Sequence, residues 1–153
     1  MLNEGMKAIN FSLPDASGHI HQLSDYRGKK IALYFYPKDL TSGCTRQACA
    51  FRDAYDAYVD RDITIIGISK DDSKSHLKFI QTNDLPFLLL SDLDTKVCQA
   101  YGVWGEKSLY GHRYMGIKRT TFLIDEKGYI IKVFEKASPK ENANQILKFL
   151  DRY

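Results

Sequence analysis

Ile31-Ala32-Leu33-Tyr34-Phe35-Tyr36 is an unbroken apolar and aromatic run that feeds directly into Pro37-Lys38-Asp39-Leu40-Thr41-Ser42-Gly43-Cys44, with Cys49 five residues further on. A short run of this composition reads as a strand buried on both faces of an α/β sheet. Residues 44 to 60 have helical composition, so Cys44 falls in the first turn of a helix that starts just past a strand end. There, unpaired backbone N–H groups and the positive end of the helix dipole favour negative charge on the sulfur. The thiolate is the nucleophilic form of cysteine.

The spacing to the next thiol constrains the chemistry. Residues five apart on an α-helix are about 8 to 9 Å apart between Cα atoms and roughly 140° apart around the axis. A disulfide needs Cα atoms within about 7 Å. Cys44 and Cys49 cannot bond while both lie on one intact helix, which separates them from a Cys-x-x-Cys exchange pair. The pattern suits a sulfur that reacts alone and is met by a second thiol after the first turns unwind, as when a sulfenic acid left by a peroxide is resolved. A packing role for Cys49 within Gln47-Ala48-Cys49-Ala50-Phe51 stands beside that reading. Cys98, at helical spacing with Tyr101, reads as core.

With these features the chain resembles the atypical peroxiredoxins of the bacterioferritin-comigratory-protein, or peroxiredoxin Q, type. Pro37, Thr41 and Cys44 match that family's Pro-x-x-x-Thr-x-x-Cys signature, and Cys49 matches its resolving cysteine. Tyr101-Gly102-Val103-Trp104-Gly105-Glu106-Lys107 and Arg119-Thr120-Thr121-Phe122-Leu123-Ile124-Asp125 are also similar to it, so the resemblance spans nearly the whole chain. It implies Cys44 as the peroxidatic thiolate and Cys49 as the resolving thiol. Thr41 becomes the hydroxyl that hydrogen-bonds sulfur and peroxide, Arg119 the cation that holds the thiolate, and Pro37 a shield against water. It further implies reduction of hydrogen peroxide and alkyl hydroperoxides, recycling by thioredoxin or a similar dithiol protein, and no metal, haem or flavin cofactor. Two positions depart from the common pattern. Ser42 stands where proline is frequent and is a candidate helix cap; Gln47 stands where many peroxiredoxins carry an acid.

Composition narrows the alternatives. At 153 residues, with 44% apolar and 27% charged residues, the chain is expected to be one globular domain, 1–153. The net charge of +3 is dispersed, which argues against nucleic-acid binding despite a pI near 8.7. No apolar run of about 18 residues and no signal-peptide pattern is present, so a cytoplasmic protein without membrane association is expected. No heptad or other association motif stands out, which favours a monomer. His19 and His21 share a short alternating segment and His76 and His112 stand alone, so metal-ligand spacing is absent. Two rivals remain: a general thiol–disulfide oxidoreductase, which the five-residue spacing disfavours, and a binding or holdase module with incidental cysteines.

Outward from the motif, alternation around Ala16-Ser17-Gly18 predicts an N-terminal β-hairpin within Phe11–Leu23. Ile63–Ile68 reads as a second buried strand and Ser73 to Thr82 as a helix with Leu77 and Ile80 facing inward. Phe87–Leu90 is a short strand, 94–101 a short helix and 103–118 a Gly-rich loop whose Trp104, Tyr110, Tyr114 and Met115 are candidates for lining a hydroperoxide's approach. Thr120–Ile124 and Tyr129–Phe134 form a hairpin around Asp125-Glu126-Lys127-Gly128. A last helix follows, with Ser138 as N-cap, Glu141 completing a capping box, and Ile146, Leu147 and Leu150 as its apolar face. A βαβ unit, a hairpin and a closing helix make a thioredoxin-like α/β fold, here with an N-terminal hairpin and an inserted helix.

Overall fold

A computed structural model describes residues 1–153. Its centre is a five-stranded sheet formed by β3 (Lys30–Phe35), β4 (Ile63–Ser69), β5 (Leu88–Ser91), β8 (Thr120–Ile124) and β9 (Ile130–Glu135). Their spatial order is β5-β4-β3-β8-β9. β3, β4 and β5 run parallel, whereas β8 is antiparallel to both β3 and β9. β1 (Ser12–Pro14) and β2 (Ile20–Gln22) form the expected N-terminal hairpin.

Period-two alternation along β3 divides the core. Ile31, Leu33 and Phe35 face one layer with Leu13, Ile66, Ile68, Phe122 and Tyr101, the last just past α4 (Lys96–Ala100). Ala32, Tyr34 and Tyr36 face the other, beneath α1 (Ser42–Asp53), α2 (Tyr55–Asp60), α3 (Ser73–Asn83) and α5 (Asn142–Arg152). The central strands are buried on both faces, which is why they read as continuous apolar runs. This is the thioredoxin-like arrangement expected. No helix is long and apolar enough to cross a membrane.

Several local expectations are corrected. The helical stretch behind Cys44 is two helices, broken at Ala54. Segment 103–118 is not a loop but a second hairpin, β6 (Trp104–Leu109) with β7 (His112–Ile117), forming its own two-stranded sheet. Its tip is a two-residue turn in which Tyr110 and Gly111 both have positive φ, 50° and 80°; that matches the twist of a hairpin. In α3 it is His76 and Phe79 that are buried, while Leu77 is exposed. The helix is rotated because the His76 ring finds polar partners inside. At the C-terminal helix, Ser138–Glu141 form a turn and α5 starts at Asn142, whose N–H donates to the Ser138 carbonyl at 2.9 Å. The expected side-chain box gives way to Asn142 itself, drawn inward to accept the Thr121 hydroxyl at 2.7 Å.

Candidate active site

β3 ends at Phe35, and the loop 36–41 carries the chain into α1. Thr41, in extended conformation, is the N-cap residue of α1. The first intrahelical bond runs from the Thr45 N–H to the Thr41 carbonyl at 2.8 Å, so the N–H groups of Ser42, Gly43 and Cys44 lie ahead of the hydrogen-bonded ladder. Ser42 is the first helical residue and does not cap the helix, since the N-cap position belongs to Thr41.

Sheet register brings in the cation. β3 and β8 pair with Phe35 opposite Thr120, so the residue before β8 stands beside the residue after β3. That residue is Arg119. Its Nη2 donates to Cys44 Sγ at 3.2 Å, and its Nη1 donates to Gln47 Oε1 at 2.6 Å. Cys44 is 2% exposed and Gln47 is fully buried one helical turn on. Gln47 therefore fixes the guanidinium through a neutral carbonyl, leaving its positive charge to the sulfur; a carboxylate there would compete for it. Gly43 completes the fit, because a Cβ at that position would lie 3.3 Å from Arg119 Nη2. Sequence reading missed Gly43, since only the assembled site reveals the close approach.

Thr41 Oγ1 donates to the Lys38 carbonyl at 2.9 Å rather than to the sulfur. With its proton committed there, the oxygen has lone pairs free to accept. Pro37 is half-buried at the head of the loop. Leu40, between Asp39 and Thr41, has a φ of 62° and is 41% exposed; a bulky residue in the left-handed region costs on the order of 1 to 3 kcal/mol. Lys107 of β6 lies close enough to the site that burial and repulsion from Arg119 hold its ammonium below the ordinary lysine range.

Cys49 shares α1 with Cys44, so the two sulfurs are separated by the five-residue helical offset. Its Sγ is half-buried and donates to Asn83 Oδ1 at 3.6 Å, while Arg52 Nη1 donates to the Asn83 carbonyl at 2.8 Å. All three cysteines are free. Cys98 lies fully buried in the middle of the short α4, where its backbone N–H donates to Asp92 at 2.8 Å. Burial, with Asp92 beside it, pushes the Cys98 thiol far up. Above the usual cysteine range, near pH 8.5, the unfolded chain loses a proton that folded Cys98 keeps, so this group lowers stability as pH rises. At pH 8 iodoacetamide is expected to label Cys44 and Cys49 in the native protein and Cys98 only after denaturation. Peptide mapping would contradict this if native Cys98 were alkylated as fast as Cys49.

The aromatic candidates of 103–118 are not gathered around the sulfur. Tyr110 is 93% exposed at the hairpin tip, Tyr114 and Met115 are also exposed, and Trp104 packs under the Lys70 ammonium, 5.8 Å from its ring centre. His76, which the sequence leaves alone, is buried in contact with Asp39, Tyr36 and the Leu90 carbonyl. A cleft lined by Tyr26, Tyr55, Ile63, Pro86 and Phe87 lies at the opposite end of β4 and takes no part in this site.

A thioredoxin-like fold that seats a lone thiol at a helix start, against a fixed guanidinium, defines a thiol peroxidase. The chain belongs to the AhpC/TSA family, whose profile matches residues 5–133. Within it the relatives are Bcp-type peroxiredoxins: Peroxiredoxin Bcp of Bacillus subtilis is 46% identical over 146 residues, covering 95% of this chain and 93% of that one. A Cys-to-Ser variant of PrxQ from Xylella fastidiosa superposes with a TM-score of 0.93 at 31% identity, over 99% of this chain and 97% of its own. The bacterioferritin comigratory protein of Xanthomonas campestris follows at 0.87 and 32%, over 93% and 90%. The protein is thus an oxidoreductase that uses a thiol to reduce peroxide, and the family resemblance read from the motifs holds.

Proposed function

We propose that Cys44 reduces hydrogen peroxide and alkyl hydroperoxides, that Cys49 resolves the product as an intramolecular disulfide, and that thioredoxin or a similar dithiol protein restores both thiols. The observation that carries the reading is the 3.2 Å contact between Arg119 Nη2 and a buried Cys44 sulfur at the start of α1. The thiolate attacks one peroxide oxygen, the O–O bond breaks, and the other oxygen leaves as hydroxide or alkoxide and takes a proton. Cys44 becomes a sulfenic acid. Negative charge grows on the leaving oxygen as the bond stretches. The N–H groups of the first turn and Arg119 donate toward it, and Thr41 Oγ1 accepts the peroxide O–H. Pro37 limits water at the mouth of the site. A dry environment strengthens each of these interactions.

The Cys49 thiol then displaces water from the sulfenic acid, forming the S–S bond. This step requires the first turns of α1 to open and Cys49 to leave Asn83. A dithiol reductant next attacks the disulfide and leaves as its own disulfide, so electrons balance over the cycle. Alkyl hydroperoxides are included because alkyl peroxide reduction is the activity named for the X. campestris relative. Both thiols lie on one chain, so the cycle needs no second subunit, and we place it in a cytoplasmic, single-domain monomer.

Reduced protein treated with one equivalent of hydrogen peroxide, blocked at free thiols and digested with trypsin without reduction tests this. Cleavage after Lys38, Arg46, Arg52, Lys96 and Lys107 puts the three cysteines on separate peptides, so each pairing is distinguishable by mass. A Cys44–Cys49 link is expected. A Cys44–Cys98 link, or Cys44 left as a sulfinic acid, would reassign Cys49 to packing; an unmodified Cys44 would overturn the peroxidase cycle.

A further inference from the structure

Asp39 sits in the loop between β3 and α1, yet its carboxylate is buried against α3. Oδ1 accepts the Tyr36 hydroxyl at 2.5 Å. Oδ2 accepts the Ser75 hydroxyl at 2.9 Å and lies 2.6 Å from His76 Nδ1. The other ring nitrogen, Nε2, is 3.1 Å from the Leu90 carbonyl. Both nitrogens of a fully buried ring thus meet oxygen partners, so the ring is held from both sides, by a carboxylate and by a backbone carbonyl. The Asp39 N–H is held as well, donating at 2.8 Å to Asp71 Oδ2, which also accepts the Ser69 hydroxyl at 2.7 Å. Residue 39 is therefore fixed through its side chain and its backbone, from β4 and α3 together.

One residue later the chain enters the left-handed turn at Leu40, whose exposed side chain gains little burial to offset that conformation. Such a conformation persists where its surroundings over-determine it. We propose that the Asp39–His76 pair is a positioning device for peroxide reduction: it clamps residue 39 so that Leu40 stays left-handed and the Thr41 hydroxyl remains aimed at peroxide on Cys44. This rests on the peroxidase reading above. The clamp acts on the orientation of the groups around peroxide, whereas the sulfur's charge is held by Arg119 and the helix end. Two reactions of the same thiol therefore separate. Peroxide reduction needs the aligned groups; alkylation by iodoacetamide needs only a thiolate and access.

The test compares second-order rate constants of Cys44 with hydrogen peroxide and with iodoacetamide. Asp39→Asn is expected to slow the peroxide reaction by about 30-fold, in keeping with the cost of a misplacement of about 1 Å, and to change alkylation by less than about twofold. Adding Leu40→Gly to Asp39→Asn is expected to restore most of the lost rate, because glycine adopts positive φ without steric cost. A residue that merely supported the fold would not be rescued by a glycine at an exposed position. Tyr36→Phe and Ser75→Ala each remove one donor to the carboxylate; they serve if Asp39→Asn does not fold, with a selective fall of about threefold expected. A parallel fall in both rates, or a peroxide rate at the wild-type value in the folded variants, overturns the clamp. A wild-type protein that consumes no peroxide overturns the peroxidase reading with it, so the two failures are distinct.

Discussion

Replacing Arg119 by methionine is expected to slow the reaction of Cys44 with hydrogen peroxide by about 10² to 10³-fold, the scale of losing one pre-aimed donor at a developing negative charge. Methionine keeps much of the apolar bulk and removes the fork of N–H groups. That fork serves two sites at once, with Nη2 on Cys44 Sγ at 3.2 Å and Nη1 on Gln47 Oε1 at 2.6 Å. Arg119→Lys is expected to recover only part of the loss, because a single ammonium cannot reproduce the planar geometry that reaches both. In the wild type the Phe35–Thr120 register and the open space at Gly43 preset the guanidinium's place, so little reorganisation is needed during the reaction. Rapid-mixing measurement of the second-order rate constant decides the matter. An Arg119→Met protein within threefold of wild type would remove the guanidinium from the transition state.

Phe51→Ala is expected to have the largest effect on stability, about 3 to 5 kcal/mol, against a total of roughly 5 to 15 kcal/mol for a typical protein. The ring is fully buried under the sheet face that carries the site. It stacks on Tyr34 at 4.8 Å between centroids and meets Tyr58 and Phe87 edge-on at 5.7 and 6.2 Å. Those neighbours belong to β3, α2 and the segment before β5, so the cavity would open where several elements converge and none can close it alone. Urea unfolding would show a lower midpoint at unchanged slope. A loss below about 1 kcal/mol would mean that the surrounding rings collapse into the space and that this packing is dispensable.

The parts of the molecule legible in the sequence are those whose pattern is local. β3 and β4 announce themselves because burial on both faces leaves no room for polar residues, and the loop to Cys44 follows from its turn and helix-start residues. Arg119 is different: nothing near it in the chain marks it as more than the start of a strand, and only the family resemblance joined it to Cys44 before the β3–β8 register supplied the reason. The hairpin of β6 and β7 was hidden because Gly105, Gly111 and Gly116 suggest a loop, and its strands pair only with each other, leaving no strong apolar alternation. The inward face of α3 was misplaced by one residue, with His76 inside and Leu77 outside. A histidine is ordinarily given to the solvent side, and its attraction to a carboxylate 37 positions earlier in the chain is not a periodic signal. Thr41 was legible as a residue, but its hydrogen bond to the Lys38 carbonyl belongs to the turn and becomes visible only with the backbone.

Cys44 and Cys49, the two sulfurs of the proposed cycle, ride on one continuous helix, α1. In the proposed cycle that helix must lose its first turns for the disulfide to form and regain them before another peroxide can be bound. Folding is then more than the event that creates the enzyme, since one small piece of it is repeated at every turnover. On that cycle the free energy of the first helical turns enters every turnover, so local stability at Thr41, Ser42 and Gly43 bears on the rate of disulfide formation.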